Sequence, residues 1–201
     1  MIDKKEVLRY AGVKEPTKEI LTLLDECIKE AESFIKPKLC HAQFEVTLGD
    51  FVEFPFAKVE SKKLLKNLYG CKEVIIFAAT LGAQFDRLLL RYSKVSPAKA
   101  VIFEAIGTAE IERVCDEFCC KVNCFTKPRF SPGYGDLPLE FQKEIFKVLD
   151  CPRKIGLTLN ESLLMSPSKS VTAIVGITDK KCDDKSSCEA CEKTNCSFRR
   201  E

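Results

Sequence analysis

Strand-like and helix-like segments come in groups along this chain, and that grouping limits the folds open to it. A strict strand–helix alternation would point to a parallel sheet wrapped by crossover helices. Grouped strands point instead to an α+β fold, with a mainly antiparallel twisted sheet and flanking helices. Residues 3–10 carry Val7 and Leu8 among charges and read as a short helix ending near Gly12. Thr17 is placed to cap a second helix, whose apolar stripe runs through Ile20, Leu23, Leu24, Cys27, Ile28, Ala31 and Ile35 until Pro37 stops it. Cys40 to Val59 alternates and reads as two strands joined by a turn at Gly49-Asp50. Ser61 caps a short helix, Lys62 to Tyr69, closed by Gly70.

Glu73 to Ala79 is a buried-strand pattern, and Thr80-Leu81-Gly82 turns it into a helix, Ala83 to Arg91. Such a junction either offers backbone N–H groups to an anion or simply connects two elements. The longest helical pattern runs from Pro97 to about Cys124, with Val101, Ala105, Thr108, Ile111, Cys115, Phe118 and Val122 as its expected buried stripe. Leu139 to Leu149 is another amphipathic helix. Short strands at Ile155–Leu159 and Val171–Ile177 bracket a Ser/Pro-rich segment, Ser166 to Ser170. There are no internal repeats.

The 201 residues suit one large domain with a sizeable core, or one domain plus an appendage. At 45% hydrophobic and 31% charged, the composition is that of a globular protein and not of a disordered one. The 32 basic and 30 acidic residues leave a net charge of +2, so the electrostatic footprint of a nucleic-acid binder is missing. His41 is the only histidine, which excludes a mechanism built on several. No Ser–His–Asp or Cys–His pattern, Walker loop or dinucleotide fingerprint is present. The charged start, Met1 to Glu6, has no apolar signal core, and no apolar run approaches the roughly 20 residues that span a bilayer. The expectation is a cytoplasmic protein without membrane association, whose twelve cysteines are not structural disulfides.

Arg129-Phe130-Ser131-Pro132-Gly133-Tyr134 concentrates binding chemistry in six residues. Pro132 presets a turn and Gly133 permits positive φ. Arg129 offers a planar fork of donors suited to a carboxylate or phosphate, and Tyr134 a flat face with a hydroxyl. By itself the stretch is either a surface turn or a turn folded around a small anionic or zwitterionic ligand.

This stretch resembles the S-adenosylmethionine-binding signature of the activation domain of cobalamin-dependent methionine synthase. Glu161 to Val171 resembles that domain's later Glu-Ser…Pro…Ser-Val segment, and Glu104-Ala105 through Glu112-Arg113 resembles its acidic helix. The run Arg129 to Leu139, with Phe77 to Gly82, is similar to a stand-alone bacterial version. The resemblance covers roughly residues 1–178 and implies that domain's α+β fold. It implies that Arg129 holds the ligand carboxylate, that Ser131 and Gly133 present backbone groups, and that Tyr134 packs on or bonds to the ligand. It implies too that Glu112 lies near the ligand's cationic amino or sulfonium group, with Glu104 the competing choice. Ser166 to Ser170 is either a turn near the ligand, with Lys169 as an added cation, or a hydrophilic hairpin loop. The chain departs from the family in three places, one being that the family's aspartate-bearing N-terminal segment has no match. The chain also has Gly135-Asp136-Leu137-Pro138 after the signature where the family has Cys-Pro, and Thr172 to Gly176 holds no counterpart of a later family tyrosine.

After Thr178 the composition shifts. Residues 179–201 are charged, poor in large apolar side chains, and contain Cys182, Cys188, Cys191 and Cys196. The Cys-x5-Cys-x2-Cys-x4-Cys spacing suits four thiolates around zinc or an iron–sulfur cluster, which would supply the folding energy so short a segment lacks. The alternative is a tail of reduced thiols. Cys115, Cys119, Cys120 and Cys124 form a second group, with i, i+4 pairs on helix faces, and read as a metal site or as small buried residues.

The resemblance implies a module that binds S-adenosylmethionine and assists reductive methylation of cob(II)alamin. The cobalamin would be carried in trans by a separate corrinoid-binding methionine synthase protein, with a flavodoxin- or ferredoxin-like electron donor. The competing expectation is a repurposed, non-catalytic small-molecule or metal-binding module on the same fold.

Overall fold

A computed structural model of the chain describes residues 2–122 and 125–178. Helix α1 (Lys4–Tyr10) starts where the Asp3 carboxylate accepts from the Lys5 and Glu6 N–H groups. Helix α2 (Lys18–Phe34) starts where the Thr17 hydroxyl accepts from Ile20 N–H. Strand β1 (Lys38–Glu45) follows, then three short strands, β2 (Thr47–Leu48), β3 (Val52–Phe54) and β4 (Ala57–Val59). Ser61 caps α3 (Lys62–Asn67) through Leu64 N–H, and Gly70 turns the chain at φ +81. Strand β5 (Glu73–Thr80) leads into α4 (Ala83–Val95), and Ser96 caps the long α5 (Pro97–Lys121). The remaining elements are β6 (Phe125–Thr126), α6 (Gln142–Leu149, entered through a 3₁₀ turn), α7 (Cys151–Ile155), β7 (Thr158–Leu159), β8 (Met165–Ser166) and β9 (Ser170–Thr178).

The central sheet has four strands in the order β1–β5–β9–β6, every pair antiparallel. Strand β5 pairs along its whole length with β1 on one side and β9 on the other. Its side chains alternate between two cores. Phe77 and Ala79 join Ala173 and Val175 of β9 against α1, α2, α4 and α5. Val74, Ile76 and Ala78 join Ile174 and Cys40 against α3, α6, α7 and the small sheet. Both faces are therefore covered, which is why this strand reads as a continuous apolar run rather than an alternating one.

Three expectations change. The segment from Cys40 to Val59 is not one hairpin. Its first half is β1, drawn out to pair with β5 from Lys38↔Thr80 to Glu45↔Glu73, while β2, β3 and β4 make a separate three-stranded sheet. Ile155 ends α7 instead of starting a strand, and β7 pairs with β8, not with β9. Val101 is exposed (56%), because α5 buries Ile102, Phe103, Ile106 and Ala109 between its neighbours. The helix is buried on more than one face, so a single stripe does not describe it. Gly107 marks the tightest approach: a Cβ there would lie 2.5 Å from Phe85 Cε1 of α4.

Among the described residues, no helix is long and apolar enough to cross a membrane.

Candidate functional site

The signature turn is built from the edge of the central sheet outward. Beyond β6, Phe130 continues the pairing with β9, exchanging both backbone hydrogen bonds with Ile174 at 2.9 and 2.8 Å. This fixes the direction of Arg129 next door. The chain then reverses: Tyr134 N–H donates to the Ser131 carbonyl at 3.0 Å, with Pro132 and Gly133 between them. Pro at the second position and Gly at φ +85 in the third are what a type II turn requires. The turn is then pinned from below. Gly133 N–H donates to the Leu137 carbonyl, and Asp136 caps α3 by accepting from the Ser61 hydroxyl and the Lys62 and Lys63 N–H groups. These bonds, the Ser61 hydroxyl first, hold the Asp136 carboxyl below the usual carboxylate range.

Arg129 points back to the C-terminal half of α5. Its Nη2 lies 2.7 Å from Glu112 Oε2 and 2.9 Å from Asp116 Oδ1. Burial opposes the Arg129 charge, yet the carboxylates of Glu112 and Asp116 outweigh it and its pKa is raised. The other nitrogen, Nη1, is buried and has no hydrogen-bond partner among the described residues. A buried donor left unmade is costly, so this atom marks where an acceptor fits. Arg129 and Glu112 are thus brought together, across 17 residues of sequence.

The other expected positions are less engaged. Tyr134 is 68% exposed. The Ser131 carbonyl and the Gly133 N–H are spent inside the turn. Asp116 escaped the sequence reading, although it lies one helical turn beyond Glu112, the spacing that puts two side chains on one face. Cys115 and Cys119 neighbour Arg129, and burial pushes the Cys115 thiol up to about 12 and raises that of Cys119. Cys115 is buried and Cys119 half-buried, and neither raised thiol is poised as a nucleophile. Cys120 is exposed. Among the described residues no group of three or more His, Cys, Asp or Glu side chains is placed to hold a metal ion. Cys124 and the tail residues Cys182, Cys188, Cys191 and Cys196 lie outside the described residues.

Glu104, the competing carboxylate, sits two turns earlier on α5, about 12 Å away along the axis. It pairs with Lys169 at 2.6 Å, and the same ammonium donates to the Thr108 hydroxyl at 3.1 Å. Ser168 donates its N–H and hydroxyl to Asp86 of α4. The Ser/Pro-rich segment is therefore fastened across α4 and α5, at the Glu104 end of the helix. A cavity of about 600 Å³ opens at this end, lined by Tyr10, Leu89, Val101, Glu104, Ala105 and Thr108 among others. Of the site residues expected from the sequence, the competing choice Glu104 lines it, whereas Glu112, Arg129, Ser131, Gly133 and Tyr134 do not.

Comparison with known proteins bears on the stretch that holds the turn and on the fold. Residues 119–183, which include the turn, match the family described as vitamin B12 dependent methionine synthase, activation domain. Over those residues the chain is similar to that activation domain. In fold, it matches the solved structure of the MetH reactivation domain bound to AdoHcy with a TM-score of 0.62 and 17% identity. That match covers 83% of this chain and 67% of the other. No curated protein matches the sequence at a significant level. The α+β architecture is that of the activation domain, with the antiparallel sheet carrying the Arg129 turn at its edge.

Proposed function

We propose that this chain binds S-adenosylmethionine at the Arg129 turn and assists reductive methylation of cob(II)alamin on a separate corrinoid-binding methionine synthase protein. The observation that carries this reading is the Arg129–Glu112 contact beside a buried, unpartnered Nη1. An α-amino acid group brings a carboxylate for a guanidinium and an ammonium for a carboxylate, and the site holds both. The relative solved with AdoHcy supports the same ligand class. Ser131, Gly133 and Tyr134 shape the turn, and the exposed Tyr134 ring is free to close over the ligand.

When bound, S-adenosylmethionine supplies the methyl group, and a flavodoxin- or ferredoxin-like donor supplies the electron that reactivation needs. This chain's own part is positioning: it holds the amino acid end so that the rest of the ligand faces the corrinoid partner. The division into a domain at residues 1–178 and a Cys-rich tail at 179–201 belongs to the proposal. So does zinc or an iron–sulfur cluster on the four tail cysteines.

The cavity beside Glu104 favours a second reading, a repurposed module that binds a different small molecule at the other end of α5. Calorimetric titration of S-adenosylmethionine into the wild type and into Arg129→Ala tests the first reading. Saturable binding, weakened at least about thirtyfold in the variant, is expected from loss of charge-assisted hydrogen bonds worth about 2 kcal/mol or more. No binding by the wild type would sink the reading, and equal binding by both proteins would move the ligand elsewhere.

A further inference from the structure

Helix α5 turns two carboxylates onto one guanidinium. Glu112 and Asp116 stand one helical turn apart, so both project from the same face. Both also reach the same nitrogen: Arg129 Nη2 is 2.7 Å from Glu112 Oε2 and 2.9 Å from Asp116 Oδ1. A contact built only to fasten Arg129 is complete with Glu112. The second carboxylate sets a like charge against the first at the spacing where such pairs repel, and a further cation relieves that repulsion.

Among the described residues the cluster therefore holds one positive charge against two negative ones. Its surroundings do not cancel the surplus. Burial raises the pKa of the Cys115 and Cys119 thiols, so both stay neutral near pH 7. The Lys127 stem lies over Gly176 beside Leu68 and Cys71, on the face of the sheet that α3 covers and α5 does not. On the next face of α5, Arg113 is likewise shared by two carboxylates, Glu110 and Glu117, and has no charge to spare.

We infer that Asp116 sets the ligand charge this site accepts, selecting the sulfonium of S-adenosylmethionine over the neutral thioether of S-adenosylhomocysteine. The inference rests on the reading of the Arg129 turn as the S-adenosylmethionine site. The two ligands share an amino acid end whose carboxylate and ammonium cancel. They differ by one methyl group, and that methyl makes the sulfur a cation. S-adenosylmethionine thus brings one positive charge in excess, which matches the negative charge that Asp116 leaves over, and the occupied site is neutral. With the thioether the site keeps an uncompensated negative charge. The Asp116 side chain is 47% exposed, so solvent screens its field and the discrimination it supplies is about tenfold. The preference has a direction. Once the methyl group has been given up, what remains is the ligand the site holds less well, so it leaves and the next S-adenosylmethionine enters.

The test titrates both ligands by calorimetry into the full chain, as wild type, Asp116→Asn and Asp116→Glu. Asparagine keeps the size of the side chain and removes its charge. The wild type should bind S-adenosylmethionine about tenfold more tightly than S-adenosylhomocysteine, a ratio that narrows as salt is raised. In Asp116→Asn the ratio should fall at least about fivefold, through weaker binding of S-adenosylmethionine alone. Asp116→Glu, which restores the charge, should return it to within about twofold of the wild type. An Asp116 that only shapes the site would weaken both ligands equally in Asp116→Asn and leave the ratio unchanged. That result, or a wild type that binds both ligands equally, would overturn the inference and leave the S-adenosylmethionine site standing. A wild type that binds neither ligand would remove the site itself, and the inference with it.

Discussion

Helix α5 carries two carboxylates that look equivalent in sequence and are used differently at its two ends. Glu104 faces Lys169 and Glu112 faces Arg129, each cation arriving from a distant segment. At the Glu104 end the cation is also bonded to Thr108, and its stem lies across Gly107 in a close fit. That end is a fastening, which ties the segment before β9 to the helix. At the Glu112 end the cation keeps one buried nitrogen without a partner, and a second carboxylate, Asp116, shares the other. A fastening satisfies its groups, whereas a binding site holds one in reserve. On the proposed reading, the same ion-pair chemistry serves structure at one end and recognition at the other, according to what is left unpaired.

The difference can be probed from either end. The largest effect on folding is expected at Gly107. A methyl there would meet Phe85 Cε1 at 2.5 Å, and Phe85 is fully buried and cannot give way. Alanine's better helix propensity returns about 1 kcal/mol, less than the overpacking removes, so Gly107→Ala should lose about 1–2 kcal/mol in denaturant unfolding. Lys169→Ala should cost about 1 kcal/mol in the same measurement, mostly through lost packing of its stem, and leave S-adenosylmethionine affinity within about twofold. The smallest effect belongs to Asp136, below the signature turn. Its carboxyl is held below the usual range in the folded state, so the stability it adds is present above the unfolded pKa of about 3.9 and is lost as pH falls through the lower folded value. Asp136→Asn should therefore be slightly less stable than the wild type at pH 7, and the two should converge near pH 2.

Much of this arrangement was legible in the sequence because it follows local rules. Thr17 and Ser61 cap helices as their residue types suggest, and the apolar run at 73–79 is the doubly covered strand. Pro132-Gly133 makes the turn that its φ preferences require. The resemblance on Arg129 to Tyr134 led to the fold that the comparisons then showed. What stayed hidden depends on partners far along the chain. Alternation in Cys40 to Val59 announces strands but not that β1 pairs with β5, since nothing local distinguishes that pairing from a hairpin. Val101 is apolar and in phase with the expected stripe, yet it lies outside because α5 is covered on other faces. The choice between Glu104 and Glu112 could not be made from spacing, because both lie on the same helix and only the arriving cations differ.

The two ends of α5 are separated most directly by titrating S-adenosylmethionine into Glu112→Gln and Glu104→Gln side by side. Recognition at the Arg129 end predicts that Glu112→Gln weakens binding about tenfold, the worth of one charge-assisted hydrogen bond, while Glu104→Gln changes it by less than about twofold. The reverse pattern, with Glu104→Gln losing affinity and Glu112→Gln keeping it, would place the ligand in the cavity at the other end and contradict the account.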